Sequence, residues 1–399
     1  MIETERNEEV KSDQAKRNFL ARMSHEMRTP LNAIIGMSTI AQTSLDPEKI
    51  SHCLVKITEA SLHLLGMIND ILDLSSIESG NLKLSVSEFD LAQMLKKVTE
   101  TARFSLDAKK LNLILDFDPN LPSIIISDQH RLIQVMDNLL SNAVKFTPPE
   151  GTITFSVKKT KEEGNFSTLE IKVSDTGIGI SREAQKKIFS LFEQADGSTA
   201  RKYGGSGIGL AISSSIVHLL GGSIRVNSKP GKGSCFSFKI RVELGVLKAP
   251  DVLPQETGAA PDLNTKFAGK NILLVEDVEI NREIVLSLLE ETGITIDCAG
   301  NGVEAVKMYG DNSSRYNLIL MDIHMPEMDG LEATRRIRAM EKELHSPLTA
   351  PGVPIIAMTA NVFNDDVQKC LEVGMTSHLG KPVDYEELMK ELDKYISQP

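Results

Sequence analysis

The strongest constraint on the fold is an alternation in the last 130 residues. "KNILLVED", "ITIDCA", "NLILMD", "PIIAMTA" and "SHLGKP" are short apolar runs separated by helical stretches. Short strands buried on both faces and spaced by helices predict a parallel sheet covered on either side by helices. A site is then expected at the carboxyl ends of the strands. Glu276 and Asp277 end the first strand, Asp322 the third, Thr359 the fourth, and Lys381 follows the fifth. Carboxylates converging on one edge are costly without a cation. Glu276, Asp277 and Asp322 therefore predict an oxygen-ligated Mg²⁺ site. Asp322 is then a candidate nucleophile, with Thr359 and Lys381 to hold phosphoryl oxygens.

The middle of the chain, residues 84–243, mixes strand-like runs ("NLILDF", "TITFSV", "LEIKVSD", "SIRVNS", "CFSFKIR") with helical ones ("DQHRLIQVMDNLLSNAVKF", "GLAISSSIVHLL"). It predicts an α/β two-layer sandwich. Asn138, Asn142 and Lys145 fall at i, i+4 and i+7, on one helical face. An amide oxygen can complete a Mg²⁺ shell and a lysine can meet phosphate. "SDTGIGI" follows a strand. Gly177 and Gly179 allow close backbone approach to a flat ligand, while Asp175 can accept from an exocyclic amine. "YGGSGIGLAI" sets Gly205, Gly207 and Gly209 at the opening of a helix, behind Arg201 and Lys202, a place suited to phosphate. "PGKGS" is excluded as a phosphate loop: Val226 stands where the first glycine belongs and strands flank it, so a hairpin turn is expected.

The first segment, residues 1–83, shows no strand. Ile50, Leu54, Ile57, Leu64, Ile68 and Ile71 repeat at spacings of four and three, with Ser61 and Ser75 in the gaps. That heptad seam predicts helix-on-helix packing. "SLDPEKI" starts the second helix with Asp-Pro. A helical hairpin results, too apolar to be self-sufficient, and a second copy completing a four-helix bundle would cover it. A coiled-coil stalk explains the heptads but not His25, which sits in "FLARMSHEMRTPLNAI" among apolar residues, ahead of Pro30. A helical break is expected at Pro30. Zinc is excluded there, since Thr29 occupies the place of the second histidine. Residues 244–269, rich in Pro, Gly, Ala and charge, read as a linker able to span on the order of 25–30 Å as a flexible coil.

The 399 residues carry a net charge of −11, which argues against a general nucleic-acid surface. Four scattered cysteines have no metal or redox spacing and suit a reducing compartment. No apolar run nears the roughly 18 residues of a spanning helix. The chain is expected to be cytoplasmic, touching a membrane only through a sensor region outside this sequence.

The order of these motifs resembles a hybrid sensor histidine kinase over nearly the whole chain. The asparagine-rich helix, "DTGIG" and "GGSGIG" resemble the ATP-binding domain shared with gyrase, Hsp90 and MutL. "IFSLFEQAD" looks like its phenylalanine box, with Phe189 and Phe192. The resemblance implies Asn142 as Mg²⁺ ligand and Asp175 as adenine reader. It implies Asn138, Lys145, Arg201 and Lys202 near the phosphates, and a lid between Asp196 and Gly205. "FLARMSHEMRTPLNAI" looks like the phosphoacceptor box. That implies attack by His25 on the γ-phosphate of ATP, with Glu26 accepting from the other ring nitrogen. Thr29, in a Glu-x-x-Thr spacing, implies phosphatase action. The last segment, 270–399, resembles a receiver, which implies a flavodoxin-like, doubly wound α/β fold. Two positions depart from the pattern: Val278 replaces a polar residue and His378 an aromatic one. Partners implied are a second copy through the hairpin and a downstream histidine phosphotransfer protein or response regulator. The rival classes are a non-catalytic scaffold whose receiver gates binding, and an ATPase motor needing neither His25 nor a receiver.

Overall fold

The computed structural model describes residues 2–189, 207–245, 267–344, 352–359 and 364–396. They fall into two compact units, Met1–Asp251 and Val252–Pro399.

The first unit begins with a hairpin of two helices, α1 (Ile2–Thr43) and α2 (Pro47–Glu78). Asp46 caps α2, accepting from the Glu48 N–H at 3.0 Å, with Pro47 at the first position as the sequence implied. The expected break at Pro30 does not occur: α1 runs through it. Proline removes one N–H, the partner of the Glu26 carbonyl, and the helix on both sides holds the remaining ladder. Pro30 itself is buried. Within the unit, α2 buries Cys53, Met67 and Leu74, a heptad offset from the predicted seam. Of that seam, Leu54 and Ile68 are 55% and 40% exposed, and Ile50, Ile57, Leu64 and Ile71 are half-buried. The apolar surplus inferred from sequence is therefore present in the single chain.

A seven-stranded sheet follows. Its elements are β1 (Ser87–Asp90), α3 (Leu91–Lys109), β2 (Asn112–Phe117), β3 (Ile124–Ser127), α4 (Gln129–Phe146), β4 (Thr152–Glu163), β5 (Phe166–Asp175), α5 (Arg182–Gln185), α6 (Gly209–Leu219), β6 (Ser223–Ser228) and β7 (Ser234–Leu244). The strand order is β1-β3-β7-β5-β4-β2, with β6 on β7 beside β3. Every pairing is antiparallel except β2 with β4. Helices α3, α4 and α6 share one apolar core with the sheet, and Met23 and Leu74 of the hairpin enter it. Strands β1 and β3, four residues each, are too short to have shown in the sequence pattern.

The second unit is a five-stranded parallel sheet ordered β12-β11-β10-β8-β9. It comprises β8 (Asn271–Val275), α7 (Glu279–Leu289), β9 (Thr295–Ala299), α8 (Gly302–Asp311), β10 (Leu318–Asp322), α9 (Gly330–Leu344), β11 (Ile355–Thr359), α10 (Asn364–Glu372), β12 (Ser377–Gly380) and α11 (Tyr385–Ile396). Alternate residues explain the apolar runs. Leu273, Val275, Ile319 and Met321 face one core, and Ile272, Leu274, Leu318 and Leu320 the other. The chain direction across the sheet reverses between β8 and β10, which opens a crevice at their carboxyl ends. Phe267, 1% exposed, already belongs to this unit's core.

Candidate functional site

His25 is exposed on α1, between buried Met23 and buried Pro30. The Thr29 hydroxyl turns back along the helix and donates to the His25 carbonyl at 3.4 Å. Among the described residues no hydrogen bond joins Glu26 to the His25 ring. Helical neighbours diverge by about 100°. Glu26 instead lies near Lys145 of α4: burial pulls the lysine's pKa down, and the Glu26 carboxylate pushes it back up.

Helix α4 starts at Asp128, whose carboxylate accepts from the Arg131 N–H at 2.9 Å and the Ser85 N–H at 2.7 Å. The predicted face is present. The Asn142 side-chain N–H donates to Asn138 Oδ1 at 3.1 Å, and the Asn138 amide donates to Ser213 Oγ of α6 at 2.7 Å. Asn138 is thus engaged between two side chains, and Gly209 packs on its amide where a Cβ would not fit. Ser213 is a partner that sequence spacing did not reveal, 75 residues away.

Asp175 ends β5. One of its oxygens accepts from the Gly177 N–H at 2.8 Å and the Ser234 N–H at 3.2 Å. Burial raises its pKa and these two bonds oppose the rise. The Lys229–Gly233 turn joins β6 to β7, the hairpin predicted for "PGKGS". It closes against the Asp175 segment. Gly179, at φ +69°, abuts the Lys229 carbonyl, and Gly233, at φ +85°, abuts the Asp175 carbonyl. Gly177 packs on the Phe146 carbonyl. Phe189 meets Phe236 edge-on at 6.3 Å. Gly207 has φ +70°, and Gly209 opens α6, whose cap residue Ile208 supplies no side-chain hydrogen bond. Phe192, Arg201, Lys202 and Gly205, with the lid segment, lie outside the described residues.

In the second unit the predicted residues meet. Ligand oxygens of Glu276, Asp277 and Asp322 lie within 4.8 Å of one another. The Lys381 ammonium is 2.5 Å from Glu276 and 2.7 Å from Asp322. Its backbone N–H donates to the carbonyl of buried Thr359 at 2.7 Å. Burial raises the Asp322 pKa, Lys381 lowers it, and Glu276 raises it again. Two partners were not read from the sequence. Asn281 donates to Glu276 at 2.8 Å, and the His324 N–H to Asp322 at 3.2 Å. Among the described residues the Lys381 ammonium pairs with two of these three carboxylates, Glu276 and Asp322, which are 1% and 5% exposed. An all-oxygen set with surplus negative charge fits a hard divalent cation such as Mg²⁺.

Comparison with known proteins agrees domain by domain. Residues 15–80 match the His Kinase A (phospho-acceptor) domain. Residues 127–244 match the histidine kinase-, DNA gyrase B- and HSP90-like ATPase, and 272–393 the response regulator receiver domain. Acceptor hairpin, nucleotide fold and acid-edged receiver in that order define a two-component kinase with its own receiver. The chain belongs to the hybrid histidine kinases. It is 34% identical to hybrid signal transduction histidine kinase K of Dictyostelium discoideum, over 97% of this chain and 32% of that one. It is 35% identical to the autoinducer 2 sensor kinase/phosphatase LuxQ of Vibrio cholerae, over 98% of this chain and 44% of that one. The chain thus spans about a third to under half of these two relatives. Among solved structures, full-length ShkA in complex with AMPPNP is similar at 24% identity, over 94% of this chain and 98% of that one, with a TM-score of 0.43. No described helix is long and apolar enough to cross a membrane.

Proposed function

We propose that this chain transfers the γ-phosphoryl group of ATP to His25 and then to Asp322. The observation that carries the reading is His25 itself. It is exposed on a helix whose flanking Met23 is buried in the same core as the nucleotide fold. A neutral ring nitrogen attacks the γ-phosphorus, the bond to the ADP oxygen breaks, and the ring proton passes to solvent. Asp175 reads the adenine amine, while Asn138, Asn142 and Lys145 serve the phosphate end, Asn138 through its hold on Asn142. In the second step an Asp322 oxygen attacks the phosphorus, the N–P bond breaks and the imidazole regains a proton. Lys381 and Thr359 hold the phosphoryl oxygens. Glu276, Asp277 and Asp322, and at the nucleotide Asn142, would hold Mg²⁺, which would supply charge neutralisation between anions that otherwise repel.

Further parts of the reading follow from the same residues. The exposed seam residues Leu54 and Ile68 support a homodimer. Thr29 supports hydrolysis of the receiver phosphate. A histidine phosphotransfer protein or response regulator takes the group onward. Labelled ATP tests the core of the proposal. Wild type should carry base-labile acyl phosphate, Asp322→Asn acid-labile label on His25, and His25→Gln none while still binding ATP. Sustained labelling of His25→Gln would sink the assignment.

A further inference from the structure

Asp73 of α2 and Arg131 of α4 are buried, 4% and 2% exposed, and are 58 residues apart in sequence. One guanidinium nitrogen donates to Asp73 Oδ2 at 2.8 Å and to Gln134 Oε1 at 2.7 Å. The Gln134 amide donates to the same Asp73 oxygen at 2.7 Å. The three side chains close a triangle between the hairpin and the nucleotide fold. None of them belongs to the acceptor, nucleotide or receiver residues described above.

We infer that Asp73, Arg131 and Gln134 are positioning residues for phosphoryl transfer to His25, pinning α4 on the hairpin in one register. The inference rests on the reading that His25 accepts from a nucleotide held on α4. A buried ion pair is a poor source of net stability, because both charges lose their water. Around it, Met23, Ile71, Leu74 and Ile77 join the common apolar core. Apolar contact is non-directional and tolerates sliding. The triangle does not: a slip of one helical turn, about 5.4 Å, would strand a guanidinium and a carboxylate in an apolar surround.

The pin is coupled to the chemistry through the helix. Arg131, Gln134, Asn138, Asn142 and Lys145 are spaced three, four, four and three, a single stripe along α4. Lys145 lies about 21 Å along the axis from Arg131. At that far end Lys145 lies near Glu26, the residue after His25. The stripe therefore touches the hairpin at Asp73, and the Asn138, Asn142 and Lys145 side chains assigned to the phosphate end lie further along the same helix. Because a helix is rigid over this length, fixing Arg131 and Gln134 fixes the position of Asn138, Asn142 and Lys145 relative to the hairpin.

The test uses the full chain. Asp73→Asn keeps the shape and removes the charge. His25 labelling at saturating ATP should slow at least tenfold, with ATP affinity within twofold of wild type. The paired change Asp73→Leu with Arg131→Met removes both buried charges, so thermal stability should recover while the labelling rate stays low. A labelling rate unchanged or raised in Asp73→Asn overturns the inference. So does recovery of the rate together with stability in the apolar pair, which would mark the triangle as structural only. If wild type gains no label that His25→Gln abolishes, the underlying reading fails, and the positioning role with it.

Discussion

The Lys381 ammonium stands 2.7 Å from an Asp322 oxygen, the one cation of the described receiver cluster to touch that carboxylate. It also holds Glu276, so it offsets two of three crowded acids. Lys381→Ala should leave those carboxylates mutually repulsive and destabilise the receiver by about 3 kcal/mol in chelator. Saturating Mg²⁺ should then raise the melting midpoint more in the variant than in wild type. Transfer from His25 should still fall at least tenfold, because the phosphoryl group has lost a partner. Equal Mg²⁺ responses in the two proteins would contradict the shared charge balance.

Asp175 accepts two backbone N–H groups on one oxygen. Asp175→Asn loses the charge that draws them and reverses one donor–acceptor pattern, so ATP affinity should fall at least tenfold. The oligomeric state should not change, since the exposed seam lies on α2. Leu54→Glu with Ile68→Glu should do the opposite, giving a monomer in sedimentation that still binds nucleotide. A monomeric wild type would remove the bundle from the proposal.

Burial, helped by the neighbouring Asp73 carboxylate, raises the Asp70 pKa to about 6. The folded state then binds its proton more tightly than the unfolded chain. The resulting stability is fully present below pH 3.8 and is lost as pH rises through about 6. Asp70→Asn should therefore match wild type near pH 4 and exceed it at pH 8 by about 1–2 kcal/mol, discounted for partial exposure. Urea unfolding at the two pH values checks the sign, and a variant equally offset at both would contradict it.

Among the described residues the Thr29 hydroxyl makes only a long bond, 3.4 Å, to its own helix. It is exposed beside His25 and can exchange that contact for water. Thr29→Ala should label His25 at the wild-type rate and slow loss of phosphate from the receiver about tenfold, with Thr29→Ser in between. Purified phospho-receiver mixed with each variant gives the rates directly.

What could be read ahead of the structure follows from the range of the interactions. Ile272–Val275 and Leu318–Met321 announced a two-sided sheet because both faces are buried, and acids ending such strands announced a site. Asn138, Asn142 and Lys145 were legible because one helix carries all three. The course of α1 through Pro30 was not, since one lost N–H competes with a ladder whose strength no residue reports. The choice between the Leu54–Ile68 seam and the buried Cys53–Met67–Leu74 heptad depends on which face of α2 packs within the chain, and a heptad spacing alone does not report that. Asp73–Arg131 and Asn138–Ser213 are pairings between distant segments, set by docking rather than by spacing.

At the Asp175 corner, Gly179 and Gly233 let two stretches of backbone, 175–179 and 229–233, meet with hydrogens alone between them. Ser234, whose N–H holds Asp175, is the residue immediately after that turn. A joint without side chains has no rotamers to absorb motion. Any displacement of the 229–233 turn is passed on undamped, as through a rigid hinge pin, to the carboxylate assigned to adenine.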